Sequence, residues 1–497
     1  MPRPSWVFAS KAVKDGTLAV LQMDALQALS RLYEVAVELQ SVGDEDLIDA
    51  NLDALMVEPA HVGNTPAGGE KIWGILRSIE LLTPVGAARP TYRAVLVPRL
   101  WSTTLVHRSR VFQDTTVPMI VRTVLRGIEF HEDTDFRMKV GDYPKREYVV
   151  QYEESDYAFM CRLLEQDGIA FHFEYGPDHE TVVFTDSNRG MRRPPSCAHV
   201  VYRDGSSVEE GVVSALTRKR SVGPRGVELT DYDWRKPDLE LSVSVPVDPD
   251  GRGSVHTTAE HYRDRNYGSR LAQIRAEERL VERDVWRLQS TLPDLRAGDI
   301  FGLHLPLKRA APSGHPTHPH HDHPAIHGDY LVVELRKRVD QRSHQESTAE
   351  RREERDDVVA IRAEVTYRPP RTTPKPRIDG LLYAWIDGVK LGTPAPLDDH
   401  GCYKVVLPFD PVRKDAGRAS RWIRMAQPLA GPGTGIHFPL HEGTEVVLAH
   451  VQGDPDRPLI VGAVSNPMTP SRVTSKNPTQ SVVRTYSGIT MEFEDDA

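Results

Sequence analysis

The stretch Tyr143–Tyr175 changes its hydrophobic period twice, and few folds accommodate that. Tyr148, Val150 and Tyr152 alternate with Glu147, Val149 and Gln151, which predicts a strand with one aromatic face. Ser155 then supplies an N-cap oxygen, and Asp156 places negative charge in the first turn, where the helix dipole favours it. Phe159, Met160, Leu163 and Leu164 fall on one helical face, and Gly168 stands where a left-handed C-cap is expected. From Ile169 the period returns to two: Ile169, Phe171, Phe173 and Tyr175 point one way, Ala170, His172 and Glu174 the other. The unit is strand, helix, strand.

A chain of 497 residues exceeds one hydrophobic core and predicts two to four domains. Its 38 Pro and 35 Gly favour many turns and short strands, so a mainly β architecture with some α is expected. With 62 Lys and Arg against 71 Asp and Glu, the net charge of -9 offers no global attraction to nucleic acid or anionic lipid. Cys161, Cys197 and Cys402 are far apart and in no CxxC arrangement, which predicts reduced thiols. The N-terminus has no apolar signal core, and no segment approaches the roughly twenty apolar residues of a membrane helix.

Strand patterns recur before and after the opening stretch. Tyr33, Val35, Val37 and Leu39 alternate with polar or small residues, and 71–82 and 92–100 are β-like. Trp101 and Phe112 are expected in the core, as are Ile120, Val121, Val124 and Leu125 on a short helix after Pro118. Residues 180–185 and 199–203 predict hairpin strands; 211–219, 228–233 and 239–245 are further strands. A helix is predicted over 266–288, with Leu271, Ile274, Val281, Val285 and Leu288 as its stripe, lying on a barrel, and with surface charges that nearly cancel. The segment 306–328 carries His315, His318, His320, His321, His323 and His327 among prolines. Its spacing fits an exposed insertion with incidental metal affinity better than a built metal site. Residues 340–357 are highly charged and predict a mobile loop or hairpin tip.

Proline density at 367–380 marks a linker. Beyond it 382–386, 403–409, 421–425, 445–451 and 459–464 are short strands between Gly, Pro and Asp turns, the requirement of a small OB-type barrel. Trp422 between Arg421 and Arg424 could face a nucleic acid, but Asp398, Asp399, Asp410, Glu442, Glu445, Asp454 and Asp456 surround it with negative charge. Gly431, Gly433 and Gly435 lack the Lys-Ser/Thr of a phosphate loop. Asp454 and Asp456 are expected to cap a tight turn and pair with Arg457 rather than to perform acid-base catalysis. No GxSxG, HExxH, Walker or Rossmann pattern occurs, so no catalytic residue, no cofactor and no metal ligand is assigned.

The run REYVVQYEESDYAFMCRLLEQDGIAFHFEY closely resembles the signature of the VgrG family, the trimeric spike proteins of type VI secretion, which are similar to contractile-phage baseplate hubs. RVFQD at 110–114, LRAGDIFGLHL at 295–305 and GDPDRP at 453–458 resemble the same family. The resemblance implies a phage-hub-like domain with two β-barrels over 1–375, an OB-fold domain over 376–467, and over 468–497 a linker and the start of a truncated β-helix needle. An echo between YEVAVELQS at Tyr33 and YLVVELRKR at Tyr330 is compatible with duplicated barrels. As partners it implies two further copies of the chain, an Hcp-like hexameric tube, baseplate proteins, an effector and a PAAR-repeat tip, with no nucleic acid and only mechanical contact with the target membrane. It implies cytoplasmic assembly and export without a signal peptide. The alternatives are a hub of an extracellular injection particle or contractile phage tail, a nucleic-acid-binding OB protein, or a hydrolase.

Overall fold

The computed structural model describes residues 6–14, 16–42, 48–64, 71–83, 89–203, 211–292, 294–304, 326–341, 353–410 and 417–495. It divides into two compact units, one of residues 1–105, 121–142 and 160–373, the other of 106–120, 143–159 and 374–497.

In the first unit, β1 (Trp6–Ser10), β2 (Leu18–Ala28), β3 (Glu34–Ser41), β4 (Ala60–Asn64), β5 (Lys71–Leu81) and β6 (Thr91–Val97) form a ring. Helix α1 (Ile48–Val57) lies between β3 and β4 in the chain. The pairing order β1-β4-β5-β6-β3-β2 returns to β1, and every pair is antiparallel. Tyr33, Val35, Val37 and Leu39 are all buried, as their alternation requires. After the ring come β7 (His107–Thr115), α2 (Val117–Arg126), β8 (Phe136–Lys139), β9 (Arg146–Ser155), α3 (Asp156–Asp167), β10 (Ala170–Tyr175) and β11 (Glu180–Thr185). Ile120, Val121, Val124 and Leu125 of α2 are buried as expected, but Trp101 and Phe112 are only half-buried. Phe112 stacks on Phe159 with centroids 5.5 Å apart, leaving one ring face under Arg110.

The strand, helix, strand reading holds for β9, α3 and β10. The Ser155 hydroxyl accepts from the Ala158 amide at 3.1 Å, and Gly168 adopts φ +69°. Sides expected to be polar are buried as well: Val149, Gln151, Ala170 and His172 are at most 2% exposed, and α3 also buries Arg162, Glu165 and Asp167. Period alone shows which side chains share a face, not whether the opposite face is also covered.

A second ring follows in the first unit. Its strands are β12 (Val200–Tyr202), β13 (Val212–Arg220) and, after β14 (Gly226–Asp231), β15 (Leu241–Pro246), β16 (Ser254–Thr258) and α4 (Arg265–Val281), also β17 (Asp284–Ser290), β18 (Ile300–His304), β19 (Gly328–Asp340) and β20 (Glu353–Arg362). The order β19-β18-β12-β13-β17-β20 again closes, through β20 on β19. Numbered from its own first strand, this ring has the same pairing order as the first. It differs in that β12 runs parallel to both neighbours, whereas β1 is antiparallel to both of its own. A β2–β19 pairing joins the rings into one sheet. The echo at Tyr33 and Tyr330 therefore compares the third strand of one ring with the fifth of the other and does not mark equivalent positions.

Three expectations need correction here. Residues 199–203 form no hairpin, since β12 is parallel to β13 and β18. The predicted helix 266–288 stops at Val281, and Val285 and Leu288 lie on β17, where Trp286, Leu288 and Ser290 are the buried alternates. Helix α4 packs on the small β15-β14-β16 sheet, where Leu271, Ala272 and Ile274 meet Val227, Leu229 and Leu241, rather than on a barrel. The charged stretch 340–357 supplies the facing ends of β19 and β20, and within it Asp356 is buried in an ion pair with Lys337 at 3.0 Å. Residues 342–352 and 305–325, which include His315, His318, His320, His321 and His323, lie outside the described residues.

The second unit pairs β7 with β9 and holds a small barrel of β21 (Leu382–Ile386), β22 (Val405–Val406), β25 (Glu445–His450) and β26 (Pro458–Ala463), with the two-residue hairpin β23 (Ala430–Gly431) and β24 (Thr434–Gly435) between. The predicted strands at 403–409 and 421–425 are much shorter than expected. The latter survives as bridges from Ile423 to Tyr403 and from Met425 to Ile460, which close the barrel as its fifth segment. Ala384, Ile386, Tyr403, Val405, Ile423, Val446, Leu448 and Ile460 fill it, and Val111, Tyr148 and Val150 of the β7–β9 pair join the same cluster. A last hairpin, β27 (Gln480–Arg484) with β28 (Thr490–Glu494), follows.

Candidate functional site

Within the second unit the motif residues act as joints. Asp456, only 5% exposed, accepts from the Val150 amide at 2.6 Å and from Lys375 Nζ at 2.6 Å. Asp454 accepts from the Asp456 amide at 2.9 Å and pairs with Lys375 at 2.5 Å. GDPDRP is thus a turn capped by Asp454, as expected, but its second carboxylate also fastens β9, and neither that bond nor the pairing with Lys375 was signalled by the motif. Asp156 is a second such joint, fully buried and bonded to Arg108 and Arg110 at 3.0 Å each and to Gln151 Nε2 at 2.9 Å. Carboxylates with this many donors are held in place, which suits a scaffold.

The first unit fastens the end of α3 in the same manner. The exposed carbonyls of a helix C-terminus attract cations. Arg275, 3% exposed, donates to the Glu165 carbonyl at 2.9 Å and to the Gln166 carbonyl, and pairs with Glu278 at 2.5 Å. Expected as a surface pair, this is a buried one. Arg368 donates to the Gly168 carbonyl at 2.8 Å and pairs with Glu277 at 2.7 Å. The Glu165 carboxylate accepts from the Thr372 and Thr373 amides at 3.0 Å each and from the Thr373 hydroxyl at 2.7 Å. The proline-marked segment is thus tied down up to Thr373. Sequence spacing cannot reveal such partners, which lie some two hundred residues apart.

Residues singled out for other chemistry are placed plainly. Trp422 is half-buried with Lys404 Nζ 4.8 Å from its ring centroid. Gly431 and Gly435 belong to the β23–β24 hairpin, and Gly433 takes φ +70° in its turn. Cys161, Cys197 and Cys402 are buried and none is joined in a disulfide. Among the described residues no helix is long and apolar enough to cross a membrane.

The second unit also presents large apolar side chains outward. Most of the exposed large apolar side chains among the described residues lie in it. On β21, Ala384 and Ile386 face inward while Tyr383 and Trp385 stand 54% and 39% exposed, an alternation legible in LYAWI. On the β27–β28 hairpin, Val483 stands opposite Met491, and Phe493 opposite Ser481, on one side, while Gln480, Arg484, Thr490, Glu492 and Glu494 share the other with Val482. Met491 and Phe493 are each 58% exposed. An isolated two-stranded hairpin is marginal in water, and an apolar face of this kind marks a contact surface.

Comparison with known proteins follows the same lines. Residues 400–464 match the type VI secretion system/phage-baseplate injector OB domain family. A curated relative, the type VI secretion system spike protein VgrG4b of Pseudomonas aeruginosa, is 28% identical over 458 residues, covering 90% of this chain and 54% of the relative. The chain therefore spans little more than half the length of that relative. Among solved structures, the E. coli c3393 protein, described as a component of the type VI secretion system similar to T4 tail proteins gp27 and gp5, gives a TM-score of 0.66 at 21% identity over 92% of this chain and 99% of that one. A Francisella PdpA-VgrG complex gives 0.62 at 8% identity over 99% of this chain and 75% of that one. The widest family match, to the phage tail baseplate hub (GPD), spans residues 27–343, and this chain belongs to that family.

Proposed function

We propose that this chain is the hub and OB-barrel part of a trimeric type VI secretion spike. It seats on an Hcp-like hexameric tube, contacts baseplate proteins, and carries an effector and a PAAR-repeat tip through a target envelope. The observation that carries this reading is the pair of six-stranded rings with one pairing order. Three chains, each with two like rings, offer six similar elements to a sixfold tube. On this reading 1–375 is the hub, 376–467 the OB domain and 468–497 the approach to a needle, where the apolar side of β27–β28 packs against its copies.

The work is mechanical. Closed rings leave no strand edge to fray, and buried ion pairs resist shear between elements, so axial force is transmitted without bond making or breaking. The chain assembles in the cytoplasm and leaves with the apparatus. Sedimentation at micromolar concentration tests the oligomer: a trimer is expected, with dissociation when Met491 and Phe493 are both changed to Glu, and a monomeric parent chain contradicts it. The hub-family match also favours a second reading, a contractile phage tail or extracellular injection particle. Binding to a phage-type tail-tube ring, with none to an Hcp-like ring, would select it.

A further inference from the structure

One side-chain cluster in the first unit has no part in the assembly proposed above. His199 immediately precedes β12, His304 ends β18, and His327 immediately precedes β19. These strands are neighbours in the second ring, with Val201 opposite His304 and Leu303 opposite Gly328. Histidines 105 positions apart are therefore brought together, and His199 Nδ1 lies 3.0 Å from His304 Nε2. Gly302 permits the approach: a Cβ there would stand 2.5 Å from the Ala198 carbonyl oxygen. The His327 ring lies edge-on to that of His304 with centroids 4.6 Å apart.

Two imidazole nitrogens bound to one ion at 2.0–2.1 Å and at angles between square and tetrahedral stand about 2.9–3.4 Å apart. The observed pair is in that range before any ion enters. His199 and His327 are exposed, so the site is open to solvent, and the His327 ring must turn to bring a nitrogen to the pair. Asp329, opposite Gly302, adds negative charge beside the cluster, although Arg193 pairs with it at 2.6 Å.

We propose that His199, His304 and His327 form a surface site for a borderline divalent transition-metal ion, Zn²⁺ or Ni²⁺, with water completing its shell. Imidazole ligands without carboxylate oxygens select these ions over Ca²⁺ and Mg²⁺.

The test must separate this cluster from His315, His318, His320, His321 and His323. Those five are replaced by Asn in the full chain, and Zn²⁺ is titrated calorimetrically. One Zn²⁺ per chain is expected to bind still, with affinity falling about tenfold or more on adding His304→Gln or His199→Gln, and less on adding His327→Gln. An unchanged thermal melt without Zn²⁺ shows that the variants fold. Loss of all Zn²⁺ binding in the five-Asn chain, or undiminished binding after His304→Gln, overturns the proposal and leaves a hydrogen-bonded histidine pair.

Discussion

Replacing Asp456 by Ala removes the acceptor of a buried backbone amide. The Val150 N–H, on a residue 1% exposed, is bonded at 2.6 Å to that carboxylate, itself on a residue 5% exposed. Leaving a buried donor unsatisfied costs about 1–3 kcal/mol, and the ion pair to the partly exposed Lys375 adds at most about 1 kcal/mol. The sum, about 1–4 kcal/mol, is local to β9, so hydrogen exchange is the sensitive assay. At about 1.4 kcal/mol per tenfold, the Val150 amide should exchange at least about fivefold faster in Asp456→Ala, while amides of β19 and β20 in the first unit keep their protection. Asp456→Asn retains an acceptor oxygen but loses the charge facing Lys375, and should fall between. Unchanged protection at Val150 in Asp456→Ala would refute the reasoning that GDPDRP works by fastening β9.

Other expectations are as direct. Arg275→Met strands the Glu278 carboxylate and two carbonyls of α3, so the first unit should lose about 3–5 kcal/mol in urea unfolding; a loss under about 1 kcal/mol contradicts the buried-pair account. Glu174 is held down to about 2 by the His172 ring at 3.7 Å, and by Lys139 and Arg137, against the effect of burial. Because its folded value lies below the ordinary one near 4.5, its contribution is complete above about pH 4.5 and is lost as pH falls toward 2. Glu174→Gln should flatten the melting-temperature profile across that window, and an unaltered profile excludes the role. Ser155→Ala should cost about 1 kcal/mol through the lost cap on α3, measured by chemical unfolding of the full chain.

How far the sequence reaches can be judged from these same residues. Local chemistry was legible: Ser155, Gly168 and the period changes around α3 are written within a few positions of the elements they set. The end of α4 was not, because Glu282 and Arg283 carry no breaker and Val285 and Leu288 continue a helical spacing while also fitting β17. Asp456 announced a turn through its own neighbours, yet its partner Val150 is 306 residues away. The histidine-rich insertion attracted attention by density, whereas His199 and His304 meet only because β12 runs parallel to β18. Pairing order within the rings is likewise a property of closure, which a nine-residue echo does not encode.

The central claim is threefold assembly with two like rings per chain, and a cryo-EM projection of the purified protein down its long axis tests it most directly. Six barrels at similar radius around a threefold axis is the predicted image. Single chains, or an assembly in which the two rings of each chain lie at plainly different radii, would contradict it.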